Sequence, residues 1–197
     1  MALIPVDPGE IATIVTTLEM RERPRPRPML ASPLRLTAWA RPDPAKYRAL
    51  FARVGAPWLW FSRLVMDDAM LTGIIHDPAV SVFAVIDRMG IEVGLLELDH
   101  RQTGACEIGY FGLIPELAGH GHGRWLMAQA MLRAWTPGVE RVWVHTCTLD
   151  HPSALSFYRK QGFTPIGRAI ETFPDPRALG LLPEDAAPQI PRLGISG

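Results

Sequence analysis

The residues best suited to chemistry are three glycines at alternate positions in Ala118-Gly119-His120-Gly121-His122-Gly123-Arg124. They follow an apolar run that ends at Ile114-Pro115, and they open a helical pattern. With no side chains at 119, 121 and 123, the backbone can wrap closely around an anion. The free N–H groups of the helix start then point at that anion, and the helix dipole adds favourable potential. Such a turn is a phosphate cradle, although a merely structural turn would use the same glycines. No Lys-Ser/Thr pair follows, which argues against a P-loop. A dinucleotide-binding turn would follow the first strand of a βαβ unit, whereas this one follows strands that read as an antiparallel meander.

Candidates for proton transfer flank the loop. Glu107 is a carboxylate in the otherwise apolar run Ala105–Ile114, suited to taking a proton through a water. The competing reading pairs it with Arg101 at a strand end. Tyr158 carries a phenol with an ordinary pKa of roughly 10, so it is protonated at neutral pH and able to donate. The competing reading is a core tyrosine with a buried hydroxyl. Glu97 and Asp99 share a strand face by alternation, and with Glu107 they would make a neighbouring site negative and favour a cationic substrate. Trp58, Trp60 and Phe61 read as core more readily than as binding residues. His120 and His122 form an HxH pair without a convincing third ligand, so no metal site is expected.

The elements that must position these residues follow from periodicity and punctuation. Ile11–Leu18 is rich in β-branched residues and reads as a strand, and the Pro-rich stretch Arg23–Pro33 as an extended connector. Leu34–Trp39 reads as a short strand. Pro44–Val54 and Ser62–Ile75 carry apolar residues at helical spacing. Val80–Asp87 and Ile91–Asp99 form a hairpin around Met89-Gly90. Ala105–Ile114 is the next strand, and Gly121–Trp135 is a helix apolar over so broad a face that it must be buried against a sheet. A strand at Arg141–Thr148, a helix at Pro152–Gln161 and a strand at Phe163–Thr172 complete the pattern. The strands flanking the buried helix must be parallel, because a crossover connection joins them. The expected fold is therefore α/β (α+β by some schemes): a mixed, mostly antiparallel central sheet with helices on both faces. Residues 1–33 read as an N-terminal strand plus connector, 34–173 as the main domain and 174–197 as a Pro-rich tail.

Composition narrows the function classes. Twenty basic residues balance twenty acidic ones, so the chain lacks the electrostatic footprint of a nucleic-acid or membrane-surface binder. Cys106 and Cys147 lie in apolar runs without CxxC spacing and read as buried small hydrophobes, which fits a reducing cytoplasm. The N-terminus is not a secretory signal, and no apolar run reaches the length of a membrane span.

The stretch from Glu107 to Phe163 resembles the central motifs of the GNAT superfamily of N-acetyltransferases. Pro115, Gly119, Gly121 and Gly123 match that family's pyrophosphate loop, with Ala118 where an Arg or Gln is usual and Arg124 available to compensate. His151–Phe163 is similar to the family's helix that carries a Tyr followed by Gly-Phe, here Tyr158 and Gly162-Phe163. The resemblance implies a GNAT-like sheet with a splayed pair of parallel strands. It implies acetyl-CoA as acyl donor, held by Leu113, Ile114, Ala118, Gly119, His120, Gly121, His122, Gly123 and Arg124. N–H groups near Leu113 would polarise the thioester carbonyl. Tyr158 would be the acid for the leaving thiolate. Glu107 would be the base, as in the histone-acetylating branch, with His145 in reserve, near where other branches place a glutamate. The acceptor would be a small-molecule or peptide amine, and family habit implies a homodimer. The alternative is a non-catalytic acyl-CoA-binding module, favoured by Ala118 and opposed by the presence of Tyr158 and Glu107.

Overall fold

The computed structural model describes residues 3–25 and 28–192, so parts of the connector and tail (Pro26, Arg27 and 193–197) lie outside the described residues. Seven strands form one sheet: β1 (Glu10–Met20), β2 (Arg35–Ala38), β3 (Val80–Ile86), β4 (Glu92–Asp99), β5 (Ala105–Leu113), β6 (Arg141–Cys147) and β7 (Thr164–Pro174). Their order is β2-β3-β4-β5-β6-β1-β7. Every neighbouring pair is antiparallel except β5 with β6. The strand that opens the chain is thus inserted between the two that close it.

Helix α1 (Pro44–Gly55) starts where Asp43 accepts from the Ala45 and Lys46 amides, with Pro44 at the first helical position. Its stripe of Tyr47, Leu50, Phe51 and Val54 packs with helix α2 (Asp68–Ile75) on one sheet face. Helix α3 (His122–Ala134) covers the other face with Trp125, Leu126, Met127 and Ala130, joined there by Tyr158 of helix α4 (Ala154–Lys160). Helices therefore lie on both faces, as the apolar patterns require.

One expected element is shorter. The helix read over Ser62–Ile75 begins only at Asp68, because Asp67 caps it by accepting from the Met70 amide. Upstream, side chains fix Ser62–Met66 in a non-helical path. Arg63 reaches Glu97 at 2.5 Å, and Arg48 donates to the Met66 carbonyl at 2.7 Å. Tertiary hydrogen bonding overrides the helical spacing of Leu64 and Leu71 there.

The feature that makes a site is the β5–β6 pair. It is in register only at Ala105↔Arg141, Cys106↔Val142 and Glu107↔Trp143. Beyond these residues both strands continue without pairing to each other, and the sheet splays. On the opposite edge of β5 the register with β4 shifts, leaving Gly109 without a partner between Ile108 and Tyr110. Such a bulge bends its strand. The α3 crossover leaves β5 at this opening and returns to β6 at the paired end.

Candidate active site

The splay opens into a cavity of about 440 Å³. One end is the glycine loop. Gly119 and Gly121 have φ of 79° and 80°, a left-handed backbone that favours glycine. Gly121 is the N-cap of α3 and makes no side-chain cap. The N–H groups of Gly119, His120 and Gly121 donate to no protein acceptor among the described residues. Those of His122 and Gly123 begin a helix and have no intrahelical acceptor. Gly119, Gly121, Gly123 and Arg124 line the cavity, and the Arg124 guanidinium lies 3.8 Å from where a Cβ on Gly121 would sit. A cation thus stands over the loop although the exposed Ala118 offers none. The side chains of His120 and His122 do not line the cavity. Their rings stand 6.2 Å apart, and His122 meets Ser32 at 3.3 Å, so any role of theirs in the loop belongs to their backbone.

The middle of the cavity is the gap itself. The Ile114 amide is committed to the Val93 carbonyl at 2.9 Å. N–H groups alternate along a strand, so the Leu113 amide points away from β4 into the gap, where β6 no longer pairs. Ile114 lines the cavity without a free amide to offer. Tyr158 lines the wall here. It is 7% exposed, and its hydroxyl neither donates to a protein acceptor nor counts among the sealed unpartnered polar atoms of the described residues. Burial, and then the charge of Asp150, push its pKa far above the ordinary phenol value. The phenol therefore stays protonated beyond the ordinary phenol range.

His145 projects from β6 into the same cavity, and Glu107 stands behind it with Oε1 3.4 Å from Nδ1. Glu107 does not line the cavity. Its hydrogen bond is the largest influence raising the His145 pKa; burial opposes it, and the charges of Glu107, Asp150 and Glu171 add to it. The two residues read separately as base and reserve base therefore form one pair. The alternative partner, Arg101, is bound instead to Asp99.

The far end is aromatic. Trp58, Trp60, Phe61 and Tyr110 line it. Tyr110 comes from β5, Trp58 from the 3-10 turn that follows α1, and Trp60 and Phe61 from the non-helical segment before α2; Leu59 alone among Trp58–Phe61 is core. The segment is held on two sides. Inside, buried Glu97 accepts from Tyr47 at 2.6 Å and from Arg63 at 2.5 Å, and Ser62 hydrogen-bonds Tyr110. Outside, the C-terminal tail packs Leu182 and Ala186 against Leu59, Phe173 stacks on Phe61 at 4.5 Å, and Gln189 donates to the Pro57 carbonyl at 3.0 Å. The tail is pinned by buried Arg177, which bonds Asp175 and the carbonyls of Ala186 and Ile190.

The acidic residues expected to set the charge of the site do not do so. Glu97 is sealed in its pair with Arg63, Asp99 is taken by Arg101, and neither lines the cavity. Asp150 and Glu171 do. Sequence reading missed both. Asp150 follows β6 as an ordinary polar loop residue, and its position is fixed by accepting from Thr146 at 2.6 Å and the Cys147 amide at 3.0 Å. Arg63→Ala leaves Glu97 buried without a countercharge, and we expect it to lower stability by about 3–5 kcal/mol. Urea unfolding would read this as a lower midpoint at unchanged m-value; a variant within 1 kcal/mol of the parent would show the pair to be of little weight.

Residues 34–163 match the family model described as Acetyltransferase (GNAT) family. The chain belongs to the GNAT acetyltransferases. Solved structures share this GNAT fold. A GCN5-related N-acetyltransferase from Sphaerobacter thermophilus matches with a TM-score of 0.61 at 18% identity, covering 82% of this chain and 51% of that one. The spermidine N-acetyltransferase of Vibrio cholerae, solved with CoA and spermine, matches with a TM-score of 0.56 at 22% identity over 76% of this chain and 99% of that one. A conserved protein of unknown function from Staphylococcus epidermidis gives 0.54 at 15% identity, over 85% of this chain and 63% of that one. The GNAT chain thus spans about half the length of the Sphaerobacter protein. At these identities the likeness is one of fold. No sequence among curated proteins matches the chain.

Proposed function

We propose that the protein transfers an acetyl group from acetyl-CoA to a primary amine by direct attack in a ternary complex. The observation that carries this reading is that the glycine loop, the splayed gap, Tyr158 and His145 line one continuous cavity. The residues fit the donor. The unpartnered amides of Gly119–Gly123 and the Arg124 cation suit a pyrophosphate. The gap between β5 and β6 suits an extended arm offered to strand edges. When bound, the thioester supplies the electrophilic carbonyl and a thiolate leaving group. The Leu113 amide faces the gap where the carbonyl oxygen becomes an oxyanion. His145 takes the proton that the amine loses as its C–N bond forms, and Glu107 orients the ring and stabilises the imidazolium. Tyr158 gives its proton to the thiolate as the C–S bond breaks.

The test is binding and turnover on one preparation. Acetyl-CoA at about 100 times its Kd should stabilise the native state by about 2.7 kcal/mol and raise the thermal midpoint. Gly121→Val places a β-branched side chain at φ 80° beneath Arg124 and should remove that shift. CoA release with an amine present then reports transfer. Binding without release from any amine would instead make the protein an acyl-CoA-binding module.

A further inference from the structure

The aromatic end of the cavity is chemically one-sided. Trp58 stands 5.3 Å from His151, Trp60 stands 5.2 Å from Tyr110, and Phe61 stacks on Phe173. Among the described residues the one arginine lining the cavity is Arg124, at the opposite end beside the glycine loop, and no lysine lines it. Its carboxylates are Asp150 and Glu171. Asp150 is largely satisfied: one oxygen accepts from Thr146 and the Cys147 amide, and the other faces the Trp60 indole N–H at 3.5 Å. The Glu171 side chain makes no hydrogen bond or ion pair with any described residue, although its backbone pairs in the β1–β7 ladder. Both are near enough for their charge to act on His145. The acceptor end therefore offers one free carboxylate beside the base, and beyond it walls of ring faces.

That arrangement fits one positive charge and no more. A polyamine or an aminoglycoside carries further cations, each of which needs a carboxylate or water when it is desolvated. Here the surface past Glu171 and Asp150 is mostly aromatic. Ring faces attract a single ammonium by cation–π interaction and stack on a flat apolar body. Resting on the transferase reading above, we infer that the acceptor is a monocationic primary amine carried on an aromatic ring, of the 2-arylethylamine class. Glu171 and Asp150 draw the ammonium to His145. It loses one proton to solvent to become nucleophilic, and a second to His145 as the amide forms. Trp60 and Phe61 hold the ring.

The experiment is CoA release with acetyl-CoA and a panel of 2-phenylethylamine, tryptamine, n-butylamine, spermidine and kanamycin. The aromatic monoamines should exceed n-butylamine and both polycations in kcat/KM by about tenfold or more. Trp60→Ala should erase the advantage over n-butylamine. Glu171→Gln should raise KM for the aromatic amines about tenfold while kcat changes little. Preference for a polycation, or equal use of n-butylamine and phenylethylamine, overturns the inference and leaves the transferase reading standing. CoA binding with no release from any amine overturns both. A Trp60→Ala variant that loses all amines equally assigns the ring to folding of the segment and also overturns it.

Discussion

Tyr158→Phe should lower kcat by on the order of 10²-fold or more while acetyl-CoA affinity stays within a few-fold. The geometry sharpens the expectation, because the phenol hydroxyl is held by nothing else in the protein. Its ring packs edge-on against Phe111 and Phe163, contacts that phenylalanine keeps. Its hydroxyl donates to no protein acceptor among the described residues, so no hydrogen bond is lost from the fold. A structural tyrosine would cost roughly 0.5–1.5 kcal/mol on removal of a satisfied hydroxyl. Here the variant should be as stable as the parent. Its function is then isolated from its packing. Burial holds the phenol protonated well beyond neutral pH, so the wild-type protein should show no loss of rate from Tyr158 ionisation up to at least the ordinary phenol range. Stopped-flow or steady-state CoA release, with thermal unfolding on the same sample, checks both halves. A variant with undiminished kcat would take Tyr158 out of the chemistry and leave thiolate departure to solvent.

What the sequence disclosed and what it hid have a common physical basis. Local signals were legible: the helical spacing of Pro44–Val54, the α3 stripe and the Met89-Gly90 turn act within a few residues, and the structure places an element at each. The parallel β5–β6 pair was legible too, since only a crossover can join those strands. Long-range choices were not. The Ser62–Asp67 segment has helical spacing, yet Arg63 reaches a carboxylate on β4 and holds it out of the helix. The charges of the cavity were misplaced for the same reason. Alternation put Glu97 on the face that packs against α1, but nothing local says that Tyr47 and Arg63 will meet it there and seal it. Asp150 and Glu171 come from a loop and an edge strand that converge only because β1 sits between β6 and β7. Glu107 and His145 were both singled out, but as rivals. Their register, the last paired position on β5 and two residues past it on β6, makes them partners instead.

Separating those partners gives the last expected result. If His145 is the base, it must be neutral to act, and Glu107 holds its pKa above the ordinary histidine value of 6.5. The rate should therefore climb with pH through that raised value and level off above it. Glu107→Gln removes the charge and the hydrogen bond that raise the pKa, so the ascending limb should move to lower pH. The plateau should fall by about 10²-fold, because the ring is less basic and less well oriented. His145→Ala should remove the limb together with about 10²–10⁴ of the rate. The amine's own ionisation adds the same slope to every profile, so the comparison between variants carries the information. Stability moves in the linked sense. The pair stabilises the fold while His145 is protonated, fully below about pH 6.5 and progressively less as pH rises through the raised pKa; Glu107→Gln should flatten that dependence. A merely structural Glu107 would change stability without displacing the kinetic limb. The opposite pattern, rate and limb both lost in Glu107→Gln but kept in His145→Ala, would make Glu107 the base acting through water across the gap, and His145 its neighbour only.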